Sequence, residues 1–344
     1  MSIWRKVGCW LIATVCGATA AVGATPQPLH VTPDAKGGGT GYTWSSPMTL
    51  AEAVAVANTS DTILLKAGTY ALDGGIALDK PVEIRGGFAG TDDETLAAYP
   101  YSVLDGQGAV ENLVSSSATG GQTVFSHVEF FNAQKRGFLK TGNGNITFET
   151  CRFTGNGPNW DTSYGDGGRA IRGSGSAKLV CTNCTFAGNA IDLNATTYAG
   201  KAAVWLTNMK QADITDCLFV TNGIAWSRPL GNDQKICYSG GGSALHLSAT
   251  PGTVTRCRFV GNRDATMDNY TMTYPSGTLL INGSRCAVSN CLFVANESTC
   301  GTSGRLNTQG RGTILVATTR RRSRSSIRRT AERPTRSSWG LPIR

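Results

Sequence analysis

One phrase of six residues recurs five times in this chain. Its copies are Cys151-Arg-Phe153-Thr-Gly-Asn156, Cys184-Thr-Phe186-Ala-Gly-Asn189, Cys217-Leu-Phe219-Val-Thr-Asn222, Cys257-Arg-Phe259-Val-Gly-Asn262 and Cys291-Leu-Phe293-Val-Ala-Asn296. The cysteines are 33, 33, 40 and 34 residues apart, and self-similarity at such a period marks a stacked repeat architecture. Cys and Phe stand two apart, so on a strand they share one face, while the variable residue between them takes the other. Stacking in register sets like over like at about 4.8 Å, giving an interior column of cysteines beside one of phenylalanines. The Asn falls at the following turn, where it tolerates left-handed backbone and its amide can reach the neighbouring coils.

Each copy has a partner strand a few residues upstream: Ile146–Phe148, Leu179–Cys181, Ala212–Ile214, Thr253–Val254 and Ala287–Val288. Further upstream lies a third strand, as in Arg169–Ile171, Ala203–Leu206, Ser243–Leu247 and Thr278–Ile281. Three short strands per period describe one coil of a parallel β-helix. The 43 glycines follow no collagen-type period and mark tight turns between strands. One helix is expected, where Thr49 and Glu52 form a capping box ahead of Ala53–Asn58.

The ends differ from the body. Arg5-Lys6, the apolar run Val7–Val15 and the small residues up to Ala20 or Ala24 read as a secretory leader over residues 1–24. Its apolar core is shorter than the ~20 residues that span a bilayer as a helix, and no later stretch is apolar enough to do so. Residues 29–125 are expected to form an N-terminal cap and the first coils, and 126–317 the C-x-F-x-x-N coils. From Thr318 to Arg344 there are nine arginines and one acid. This tail interrupts a sixth coil begun at Gly310–Ala317 and is expected to be a reading-frame break or truncation; the alternative is a basic tail that binds polyanions. With leader and tail set aside, the net charge of +9 almost vanishes, which argues against a nucleic-acid surface on the body.

A parallel coil of this kind resembles the right-handed parallel β-helix superfamily, over residues 29 to about 317. Leu29-His-Val-Thr-Pro33, Trp44-Ser-Ser-Pro47 with Leu50-Ala-Glu-Ala53, Ala67-Gly-Thr-Tyr70, Gly86-Gly-Phe-Ala-Gly-Thr91 and Leu104-Asp-Gly106 are together similar to the N-terminal part of polymorphic outer membrane proteins and adhesin-like surface β-helix proteins. The resemblance implies an all-β, right-handed, pectin-lyase-like solenoid, exported to the surface or outer membrane of a bacterium. It also implies two functional classes: a non-enzymatic adhesin that binds a glycan or a surface protein of a host or neighbour, and a lyase or glycoside hydrolase acting on an acidic polysaccharide.

A hydrolase needs two carboxylates about 5 to 9.5 Å apart. The acidic places are Asp161 with Asp166, Asp264 with Asp268, and Asp92-Asp93-Glu94, none of them in a ligand pattern on adjacent strands. Asp166-Gly-Gly-Arg169 reads as a turn. His30, His127 and His246 have no metal spacing, and His246, between Leu245 and Leu247, should point outward. Cys181-Thr-Asn-Cys184 lies on a strand rather than at a helix start, which favours structure over redox chemistry. Neither a metal nor a cofactor is expected, and the column cysteines should form a buried thiol ladder. The candidate ligand-binding residues are the loop aromatics Trp160, Tyr164, Tyr198, Trp226, Tyr238, Tyr270 and Tyr274. They fall at one phase of the coil, where aromatic faces beside Asn and Asp suit sugars or protein partners.

Overall fold

The computed structural model describes residues 27–158, 167–191, 202–224, 241–266, 276–300 and 311–317. The leader, the tail from Thr318 and all seven loop aromatics lie outside the described residues, as do Asp161, Asp166 and Asp268. Within them the chain winds as a right-handed parallel β-helix, and every strand pairing is parallel. A first sheet of nine strands runs from Leu29–Val31 to Cys286–Ser289. A second, of eight, runs from Gly68–Ala71 to Leu292–Val294, and a third, of eight, from Ile76–Leu78 to Arg311–Ala317. The sheets pass without a break through the 125/126 boundary. No helix among the described residues is long and apolar enough to cross a membrane.

The repeat phrase does what strand geometry requires of it. Phe130, Phe153, Phe186, Phe219, Phe259 and Phe293 occupy one register position of the second sheet. Their rings stack with centroids 4.5 to 5.1 Å apart, and each stacked pair adds about 0.5–1.5 kcal/mol beyond its buried area. Cys151, Cys184, Cys217 and Cys257 are buried beside them. Each thiol points at a carbonyl of the preceding coil: Cys151 Sγ to Phe125 O at 3.4 Å, Cys184 Sγ to Phe148 O at 3.4 Å. All seven cysteines whose state is described, these four with Cys181, Cys286 and Cys291, are free thiols.

The Asn departs from expectation in one respect. It is the residue before it that takes the left-handed conformation: Gly155 (φ 62°), Gly188 (60°), Thr221 (52°), Gly261 (61°) and Ala295 (50°). That bend turns the Asn inward, and Asn156, Asn189, Asn222 and Asn262 are fully buried. Each amide donates to the next Asn Oδ1, at 2.9, 3.1, 2.9 and 3.0 Å along the series to Asn296. Each also donates to the Phe carbonyl of the coil before, as Asn222 Nδ2 does to Phe186 O at 2.9 Å. A second left-handed column, His127, Thr150, Asn183, Asp216, Arg256 and Asn290, makes the turn between the first two sheets.

The structure adds a short fourth sheet after the Asn, of Ala190–Ile191, Gly223–Ile224, Arg263–Thr266 and Glu297–Cys300. The helix Leu50–Val56 carries the expected capping box: Glu52 N donates to Thr49 Oγ1 at 3.2 Å and Thr49 N to Glu52 Oε2 at 2.9 Å. Its Leu50 and Ala53 are buried in the hydrophobic core at the N-terminal end of the solenoid.

Candidate functional site

The outer face of the third sheet carries two rows of side chains. The alternation Leu245 in, His246 out, Leu247 in is repeated from coil to coil, so Leu139, Arg172, Trp205, His246 and Leu280 stand in register. Two residues further along each strand, and so on the same face, lie Ser174, Thr207, Ser248 and Asn282. This second row is half-buried, polar and uncharged.

Trp205 is held between two flat polar groups. The Arg172 guanidinium lies 4.6 Å from the indole centroid on one coil, and the His246 ring stacks at 4.7 Å with a tilt of 28° on the next. Arg172 Nη1 also donates to Thr207 Oγ1 at 3.2 Å, which ties the two rows together. His246 faces outward as the alternation requires, yet it is only 5% exposed, and Trp205 9%. Burial, with the Arg172 charge second, pulls the imidazole down to a pKa of about 4, so the ring is neutral at pH 7. Among the described residues His246 Nδ1 and Nε2 and Trp205 Nε1 have no hydrogen-bond partner. Groups left so cost about 1–3 kcal/mol each and retain their full capacity toward a ligand: an indole N–H donor, and an imidazole with one donor and one acceptor.

The loop aromatics named from the sequence lie outside the described residues, but the segments that hold them lead directly into this face. Residues 159–166, 192–201, 225–240 and 267–275 precede the strands Ile171–Ser174, Val204–Thr207, Gly241–Ser248 and Ser276–Asn282 in turn. The other sequence candidates are dispersed. Asp264 belongs to the fourth sheet. Asp93 accepts from Thr91 and Thr95, and Glu94 lies 3.6 Å from His30. His30 Nδ1 contacts the Gly41 carbonyl at 3.0 Å, and His127 sits in a left-handed turn. Arg169 is fully buried, with Nε donating to Gly157 O at 2.9 Å, a structural place for the residue. Among the described residues no group of three or more His, Cys, Asp or Glu converges to hold a metal ion.

Sequence reasoning missed Arg172 and Trp205. The signal was present: positions 172, 205, 246 and 280 are 33, 41 and 34 apart, the cysteine intervals to within one residue.

A parallel solenoid of three stacked sheets, with Trp205 and His246 beside a row of hydroxyl and amide side chains on the third, defines the class: a right-handed parallel β-helix. The chain belongs to the right-handed beta helix family, which it matches over residues 112–316. Three solved structures are similar in fold. Pectate lyase Pel9A is 15% identical, with a TM-score of 0.44 over 86% of this chain and 78% of that one. The PL6 family alginate lyase AlyGC is 15% identical, with a TM-score of 0.36 over 84% of this chain and 39% of that one. A pectin methylesterase from Aspergillus niger is 12% identical, with a TM-score of 0.35 over 83% of this chain and 93% of that one. No curated protein sequence matches the chain.

Proposed function

We propose that this chain is an exported surface scaffold of the adhesin type that binds a glycan on the outer face of its third sheet. The observation that carries the reading is the Trp205–His246 pair with its three unpartnered nitrogens, flanked by Ser174, Thr207, Ser248 and Asn282. Sugars combine apolar C–H faces with hydroxyls that both donate and accept, which the Trp205 and His246 rings beside a hydroxyl and amide row complement. Trp160, Tyr164, Tyr198, Trp226, Tyr238, Tyr270 and Tyr274 extend this reading, since their segments enter the same strands. The leader read over residues 1–24 supports export.

A second reading, a polysaccharide lyase or hydrolase at the same face, is favoured by one feature. His246 is a neutral imidazole able to accept a proton, with the Arg172 guanidinium on the opposite face of Trp205 to meet an acidic sugar, though its pKa of about 4 makes it a weak base at neutral pH. A glycan array run with a polysaccharide depolymerisation screen on the protein separates the two. Glycan binding without turnover, weakened about tenfold or more in Trp205→Ala and His246→Phe, is the expected result. Release of unsaturated or reducing ends would move the assignment to the enzyme, and no binding to any glycan would remove both.

A further inference from the structure

An open groove of about 240 Å³ lies on the other flank of the solenoid, on the outer face of the first sheet near its N-terminal end. Its walls come from the strands Glu83–Phe88 and Gln122–Ser126, the end of Asn145–Glu149, the loop at Glu94–Leu96 and the turn at His127. Phe88, Leu96 and Val124 supply apolar surface; Phe88 is 5% exposed, but Leu96, bridged to it by the backbone, is 47% exposed. Gly86 makes the close approach of the walls feasible, since a Cβ there would stand 2.5 Å from the His127 carbonyl oxygen.

The charges in the groove do not cancel. Three carboxylates, Glu83, Glu94 and Glu149, face one guanidinium, Arg85. Arg85 is engaged with Glu83 at 3.7 Å and lies over the Phe88 ring at 6.0 Å. Among the described residues the Glu94 carboxylate faces only His30, at 3.6 Å. Glu149 is exposed and has no side-chain partner among the described residues. His127, in the turn after Ser126, which pairs with Arg85 on one side and Glu149 on the other, adds no compensating charge at pH 7, because burial and then Arg85 lower its pKa. An exposed leucine beside an unpaired carboxylate calls for an occupant with an aliphatic stem and a cationic end. The volume limits it further: it is below the ~300 Å³ at which small-molecule sites usually begin, enough for one side chain and too little for an oligosaccharide.

We propose that this groove is a second binding site, which receives a lysine side chain of a partner polypeptide, its methylenes on Phe88 and Leu96 and its ammonium on Glu149 and Glu94. The site shares no residue with the third-sheet face and stands independently of the glycan reading.

The test is titration of the full chain with Nα-acetyl-lysine amide, followed by NMR at low ionic strength. A single side chain binds weakly, with a Kd near 1 mM or above expected. Glu149→Gln should weaken binding at least threefold with the glycan affinity unchanged, and the Nε-acetylated probe, which lacks the charge, should lose binding to the unaltered protein. Saturation that is absent at 20-fold the ~1 mM scale, equal affinity for the Nε-acetylated probe, or an unchanged Kd in Glu149→Gln would each overturn the proposal.

Discussion

The side-chain amide of Asn222 donates to Oδ1 of Asn262 at 2.9 Å, across 40 residues of sequence. The same Asn222 Oδ1 accepts from both the backbone and the side chain of Asn189, each at 3.1 Å. One side chain therefore satisfies buried groups on the coils before and after its own, and its removal strands several at once. Asn222→Ala should lower the unfolding free energy by about 2–4 kcal/mol, the cost of one to two buried polar groups left without partners. Urea denaturation followed by far-UV circular dichroism measures it, and a shift below 0.5 kcal/mol would show that water replaces the amide.

Lys140 is the interior counterpart of that ladder and a less favourable one. It points inward from the third sheet, fully buried, in register with Ser116 on one side and Gly173 on the other. Among the described residues its Nζ donates only to the carbonyls of Gly142 and Ala118. Desolvation lowers its pKa to about 8, against ~10.4 in an unfolded chain. Between those values the unfolded chain holds more protons, so this group makes stability rise with pH from about 8 to ~10.4 and imposes its full penalty below 8. Lys140→Met should flatten that slope and raise Tm at pH 7 by about 2–4 °C, as about 1 kcal/mol does for a chain of this order. Calorimetry at pH 7, 8, 9 and 10 measures both effects; a lower Tm at pH 7 would contradict them.

His246 acts on the acid side. Its folded value of about 4 lies below the ordinary 6.5, so the unfolded chain takes up the proton first. Stability should be full above pH 6.5 and be lost progressively as pH falls toward 4. His127, also lowered, contributes in the same direction. His246→Phe keeps a ring against Trp205 and should reduce the fall between pH 6.5 and 4.5. Denaturant midpoints across that window, compared with the unaltered protein, give the difference, and parallel curves would mean that the imidazole is solvated.

The thiol column should be chemically silent while the fold is intact. Burial raises Cys181, while the Cys184 thiol beside Cys217, and the Cys217 thiol beside Cys257, raise the latter two. Reaction needs the thiolate, so these cysteines should resist iodoacetamide at pH 8 for hours. Cys286 and Cys291, half-buried at the last coil, should label first, and Cys286 only slowly at pH 8, because burial raises its pKa to about 11. Peptide mass spectrometry before and after urea measures the order; early modification of Cys217 would show that the coils open there.

What could be foreseen depended on whether a position repeats its residue type. Cys, Phe and Asn recur unchanged because each interior column admits one shape, so the coil and its register were legible before any coordinates. The outer row Leu139, Arg172, Trp205, His246, Leu280 repeats in place but not in type, since nothing in the core constrains it, and so it passed unnoticed. Lys140 was hidden for the opposite reason: a polar residue at an inward position defeats the alternation that identifies strands. The groove at Glu149 joins residues from several coils, a proximity that no local pattern encodes.

The longest interval in the repeat, 40 residues between Cys217 and Cys257, leaves no trace in the second sheet, where Phe219 still pairs with Phe259 and Leu218 with Arg258. The added length falls between Ile224 and Leu245, before the strand that holds His246. Descendants of this chain are therefore free to lengthen, shorten or exchange the segments that enter the third sheet while inheriting the Cys, Phe and Asn columns intact. Variation in those segments is separated, by construction, from the risk of losing the fold.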